Sequence, residues 1–259
     1  MGQNDHSLFA GKVEKLEKNV YGSVKGHIRL ALVEQDLIDF YPEYSSSSLQ
    51  VFDIGGGSGR FACICGRRGH AVRLLDSSHE MIVEAKTRIE QQKLSENITV
   101  VQQDFLAESS LGPETFDLVL LHGSAEWMTS PETAIIKACH HVRPGGFLSL
   151  LVFNKDRLTL KHGINGLLLK EKSRNRTKWK NLTPPGAMSP DEIRQILSRF
   201  SGRICVQSGI RIFYKFFREG VSEQVLTEDE WLLQERCYYR REPFASLGEH
   251  THFIWQAKL

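Results

Sequence analysis

Residues 51–60 read "VFDIGGGSGR", a short apolar run broken by an acid and followed by four glycines in five positions. Glycine costs about 0.5–1 kcal/mol relative to alanine inside a regular element. Four of them together therefore mark backbone that turns sharply or is approached closely. The order from Asp53 to Gly59 is D-x-G-x-G-x-G. A dinucleotide fingerprint, G-x-G-x-x-G, would need its third glycine at position 60, where Arg60 stands.

On either side of this loop the pattern alternates. "LQVFDI" reads as a strand and the segment from about Arg60 to Arg68 as a helix. "HAVRLLD" is a second strand, and "SSHEMIVEAKTRIEQQ" a helix capped by Ser77 or Ser78. "ITVVQQD" and "FDLVLLHG" follow as strands. "SPETAIIKACHHV" is a helix with Ser130 as its cap and Pro131 at its first position, and "RPGG" turns into a fifth strand, "FLSLLVFN". This alternation predicts an α/β fold with a mainly parallel twisted sheet and helices on both faces. Residues 1–48 read as an N-terminal helical cap, with Val24, Ile28, Leu32 and Leu37 at helical spacing. The core spans 49–154, a basic insertion 155–188, and a C-terminal part 189–259 completes the sheet and the substrate site. In that last part "SPDEIRQILSRF" reads as helix, "RICVQSGIRIFYKFF" as strand, "DEWLLQERCYYRREPF" as helix and "THFIWQAK" as a closing strand.

In an open parallel sheet, ligands bind beyond the carboxyl ends of the strands. Four positions fall there: the glycine loop with Asp53, Gly55, Gly56 and Gly57; Asp76; Asp104; and His122. Asp76 suits both hydroxyls of a ribose, a geometry that a neutral side chain reproduces poorly. Phe105 and Leu106, beside Asp104, could enclose an adenine ring. The tight loop suits a methionine portion lying along bare backbone.

These segments carry a resemblance. "VFDIGGGSG", "LLDSSHEMI", "FDLVLLHGSAEW" and "VRPGGFLSLL" resemble the class I S-adenosylmethionine-dependent methyltransferases, with a Rossmann-like core. "NVYGSVKGHIRLAL", "HGSAEWM", "SGIRIFYKF" and "YYRREPFASLGEHTHF" extend the likeness to the bacterial tRNA 5-carboxymethoxyuridine methyltransferases, which esterify the carboxylate of a modified wobble uridine. The resemblance implies that S-adenosyl-L-methionine is the cofactor and that Arg29, Gly55, Gly56, Asp76, Phe105, Leu106 and His122 contact it. It also implies the tRNA anticodon arm as partner.

The chemistry asked of such a site is modest. The sulfonium is already activated, so transfer needs an aligned nucleophile. A carboxylate acceptor is ionised at neutral pH and needs no general base. Consistently, no Ser–His–Asp order and no metal-ligand cluster is legible, and no catalytic acid or base is assigned. A carboxylate does need a cation, and arginine's fork is best suited. Arg211, Arg240 and Arg241 are the candidates, with Tyr238 and Tyr239 as hydroxyl donors or stacking faces.

Residues 155–180 hold nine Lys or Arg against two acids, a local excess of +7 in a chain of formal charge +2. Lys170, Lys172, Arg174, Arg176, Lys178 and Lys180 make this stretch the expected RNA contact, and Trp179 could stack on an unstacked base. The five cysteines, an odd number without C-x-x-C spacing, predict neither disulfides nor zinc. No apolar run approaches the ~20 residues of a membrane span, and no signal peptide is legible, so a cytoplasmic protein is expected. Two other readings stay open: a methyltransferase of a small molecule, such as a quinone precursor or free carboxylic acid, and a noncatalytic RNA-binding protein on the same fold.

Overall fold

The computed structural model describes residues 22–107, 114–166, 168, 184–214 and 225–259. After α1 (Val24–Phe40) and a single turn, α2 (Glu43–Ser46), the chain alternates. In order come β1 (Gln50–Ile54), α3 (Arg60–Arg67), β2 (Ala71–Asp76), α4 (His79–Gln91), β3 (Ile98–Gln102), β4 (Phe116–His122), α5 (Pro131–His140) and β5 (Val142–Phe153). Then follow α6 (Lys155–Ile164), α7 (Pro190–Leu197), β6 (Gly202–Ile210), α8 (Glu228–Tyr238) and β7 (His250–Ala257). The strands form one sheet in the order β3-β2-β1-β4-β5-β7-β6. β1 to β5 run parallel, whereas β7 is antiparallel to both β5 and β6.

Period-two alternation sorts side chains onto two cores. Leu118 and Leu120 of β4 join Ile28 and Leu32 of α1, Ile82 of α4 and Trp231 of α8. Val119 and Leu121 join Ala134 and Ile135 of α5 and Ile193 of α7 on the opposite face. The helices start where capping chemistry allows. Ser78 accepts from the Met81 N–H and Ser130 from that of Thr133. Ser189–Glu192 and Thr227–Glu230 close reciprocal capping boxes.

The sequence reading needs three corrections. β5 begins at Val142 rather than after "RPGG", because Gly145, at φ 74°, absorbs an irregularity in its pairing with β4. β6 stops at Ile210, where Arg211 takes φ 61° and turns the chain out of the sheet. The last helix stops at Tyr238, short of Phe244.

Candidate functional site

Everything at the carboxyl edge of β1 and β2 is fixed by backbone hydrogen bonds. The amides of Gly55 and Gly56 both donate to the Leu75 carbonyl, at 2.7 and 3.2 Å. The Gly57 N–H donates to Asp76 Oδ2 (2.9 Å) and the Ser78 N–H to its Oδ1 (2.8 Å). Asp76 is thereby held in place by backbone donors. Burial holds its carboxyl pKa above the ordinary value, an effect the backbone N–H donors offset only in part.

Each glycine is there for a reason. Gly55, Gly57 and Gly59 have φ values of 65°, 56° and 75°, a region costly for any side chain. A Cβ on Gly55 would collide with Ser124, whose hydroxyl donates to the Ile54 carbonyl at 2.9 Å. A Cβ on Gly56 would lie 2.6 Å from Asp53 Oδ2. That oxygen is buried and makes no hydrogen bond. Burial, then the charge of Asp76, pushes the Asp53 carboxyl up to about 7.

Asp53, Gly55, Gly56, Arg29, Phe61 and His122 all line one cavity, with about 470 Å³ of empty space and open to solvent. Arg29 comes from α1, which is thus part of the site. His122 meets Phe61 edge-on with ring centroids 4.7 Å apart. Burial, His252 and Arg29 together depress the His122 pKa well below its ordinary value, so the ring is neutral.

The pattern of a methyltransferase domain matches residues 52–150. The tRNA 5-carboxymethoxyuridine methyltransferase of Escherichia coli K12 is 31% identical over 245 residues, covering 94% of both chains. The chain belongs to that family of class I S-adenosylmethionine-dependent methyltransferases. A ubiquinone/menaquinone biosynthesis C-methyltransferase from Roseobacter denitrificans matches at 31% identity over 41% of this chain and 43% of its own. Among solved structures, magnesium protoporphyrin IX methyltransferase from Synechocystis PCC 6803, with bound S-adenosylhomocysteine, superposes with TM-score 0.65 at 16% identity, covering 96% of each chain.

S-adenosylmethionine is the cofactor of this methyltransferase, and the residues present fit it. The orphaned Asp53 oxygen and the bare backbone of Gly55 and Gly56 face a cavity also walled by a guanidinium. The sulfonium supplies the activated methyl group. Arg29 would hold the donor's carboxylate, the glycine loop its methionine backbone and Asp76 its ribose. Neither Asp76 nor the 104–106 turn belongs to the cavity wall, so this part of the assignment rests on position at the strand ends.

The other expected site residues divide. Asp104 accepts the Leu106 N–H at 2.9 Å, making a tight turn. The Phe105 ring, however, is 2% exposed and packs against Phe52 and His141, with Lys137 above it. Its ring belongs to the core, and Leu106 is half-buried. Arg240 is engaged by Asp36 (2.7 Å) and Asp39 (2.8 Å) of α1, and Tyr239 is buried beside it. Arg241 is exposed over the half-buried Tyr238 ring. Arg211 is 5% exposed and ion-pairs with Glu249 at 2.7 Å.

Lys170, Lys172, Arg174, Arg176, Lys178, Lys180 and Trp179 lie outside the described residues. The front of that stretch is not the uniform cationic surface its composition suggests. It forms α6, Lys155 pairs with Glu192 at 2.6 Å, and Arg157 is buried. Among the described residues no group of His, Cys, Asp or Glu could hold a metal, and no helix is long and apolar enough to cross a membrane.

Sequence reasoning passed over three buried polar groups. Glu235 on α8 accepts the N–H groups of Ile212, Phe213 and Tyr214 at 2.8, 2.9 and 3.1 Å and so clamps the turn that carries Arg211. Glu126, pushed up to about 7 by burial, accepts the Phe153 N–H. Asp36, on the buried face of α1, binds His252. Only an acid at a helical core position could have flagged Asp36.

Proposed function

We propose that this protein methyl-esterifies the carboxylate of 5-carboxymethoxyuridine at the wobble position of tRNA. The observation carrying the reading is the extent of the family relationship, which runs over 94% of both chains. It therefore takes in α1 and the segments around Arg211 and Arg241, beyond the donor-binding half. The likeness to the quinone-pathway C-methyltransferase stops at 41% of the chain.

The chemistry is consistent. A carboxylate acceptor brings its own nucleophilic oxygen, so the site needs alignment and charge pairing, with no proton acceptor. The neutral, depressed His122 then serves to hold the donor. Arg211 is our first candidate for the acceptor carboxylate. It stands just after the C-terminal end of β6, and β6, β7 and β5 are in register through Ile210, His250 and Phe153. That places it on the same sheet edge as the donor cavity. An incoming carboxylate would share its fork with Glu249. Arg241 is the second candidate.

The test is direct. Purified protein, S-adenosylmethionine and tRNA carrying 5-carboxymethoxyuridine are incubated, and the tRNA nucleosides are analysed by mass spectrometry. The methyl ester is expected on the modified uridine, with unmodified uridine untouched. Methylation of a small free acid with tRNA unchanged would overturn the reading.

A further inference from the structure

Behind His122 runs a line of buried polar groups that methyl transfer itself does not use. His122 pairs with Leu151 of β5 across the sheet, and Leu151 in turn with His252 of β7. Ser149 lies two residues back from Leu151, on the same face. His122 Nε2 is 2.7 Å from Ser149 Oγ, and that oxygen is 2.8 Å from His252 Nε2. His252 Nδ1 is 2.6 Å from Asp36 Oδ2, and Arg240 Nε donates to Asp36 Oδ1 at 2.8 Å. Ser149, His252 and Asp36 are completely buried.

Counting protons orders this line. The Asp36 carboxylate can only accept, so His252 carries its proton on Nδ1. When that is the ring's one proton, Nε2 is an acceptor and takes the single hydroxyl proton of Ser149. The Ser149 oxygen is then left to accept, and its remaining neighbour is His122 Nε2, which must carry the proton of that ring. His122 Nδ1 is left as a lone pair.

We propose that Ser149 and His252 are positioning residues of the donor site: His252 holds a single proton, on Nδ1, and Ser149 thereby holds His122 in its Nε2–H form, so that the ring keeps a lone pair on Nδ1. The donor differs from its product in the positive charge on sulfur. Arg29 already brings one cation to this cavity, and an N–H dipole in place of the Nδ1 lone pair would disfavour the charged donor relative to the neutral product. The charged and titratable groups facing His122 are Arg29 and His252, and those facing His252 are His122 and Asp36, with Arg240 beyond. The inference concerns donor binding only and does not depend on which acceptor is used.

Nitrogen-15 NMR of the wild-type protein, with ring nitrogens correlated to ring carbons' protons, reads the tautomers directly. His122 is expected protonated on Nε2 alone, and His252 on Nδ1 alone. Ser149→Ala, a near-isosteric change, should release His122 to a tautomer mixture. It should also weaken S-adenosylmethionine by about two- to tenfold, the worth of one net hydrogen bond, with a smaller loss for S-adenosylhomocysteine by calorimetry. A merely structural role would lower both affinities together and leave the wild-type tautomers unspecified. An Nδ1–H signal for His122 in the wild type overturns the proposal whether or not the variant folds. So does a Ser149→Ala protein with unchanged tautomers and an unchanged ratio of the two affinities.

Discussion

Asp53 is held in the wrong environment for a charge, and that has a consequence for stability. Its carboxyl stands at about 7 against an ordinary 3.8. Between those values the folded protein keeps a proton that the unfolded chain has lost. Asp53 therefore costs stability increasingly as pH rises from about 4 to 7, and the cost is level above that. Asp53→Asn should gain on the wild type across that window, by about 1–4 kcal/mol at its upper end. Urea unfolding of both proteins at several pH values checks this, and a difference that does not change with pH would contradict it. Glu126, also near 7 through burial, has the same sign. Asp76 makes a different prediction, because its oxygens organise Gly57 and Ser78. Asp76→Ala should weaken donor binding by roughly 1.5–3 kcal/mol, the range of hydrogen bonds to a charged group. Unchanged affinity by calorimetry would remove Asp76 from the ribose. Gly55→Ala should abolish binding for two separate reasons, the positive φ and the clash with Ser124.

The turn after β6 is built by a helix distant in sequence. Glu235 satisfies three successive amides and so stabilises Arg211 in a left-handed conformation that a non-glycine residue seldom takes. Glu235→Gln leaves one of those donors poorly served and should cost about 1–3 kcal/mol, measurable by denaturant unfolding. Arg211→Lys keeps the charge but loses the fork. On the proposed function it should lower turnover while donor affinity holds, and equal loss of both would point to a structural role. Elements like this one explain what a sequence discloses. The strands β1 to β4 and their capped helices were legible because their signals are local: apolar alternation, Ser130 before Pro131, glycines two apart. The left-handed turn at Arg211 was not, since its cause sits over twenty residues away on α8. Nor was the core burial of Phe105, because a ring beside a strand-end acid looks the same in sequence whether it faces ligand or core. The ion pairs of Arg240 were hidden for the same reason, as its partners Asp36 and Asp39 lie on α1.

Charge is spread unevenly over the protein: the 155–180 segment carries +7 within a net +2. If it serves the proposed tRNA substrate, neutralising Lys172, Arg174 and Arg176 together should weaken tRNA binding and flatten its salt dependence, with donor affinity nearly unchanged. Titrations at several salt concentrations decide, and an unaltered tRNA affinity would take the segment out of the interface. The sheet itself orders events in time. β7 is the last strand in sequence yet lies inside the sheet, between β5 and β6. Until residues 250–257 have been synthesised, β6 has no strand to pair with and Asp36 has no His252. Translation must therefore run nearly 200 residues past the glycine loop before α1, the donor cavity and the acceptor edge belong to one piece of architecture. A chain that stops short of residue 250 should be discarded as unfolded instead of persisting as a half-active enzyme that sequesters donor.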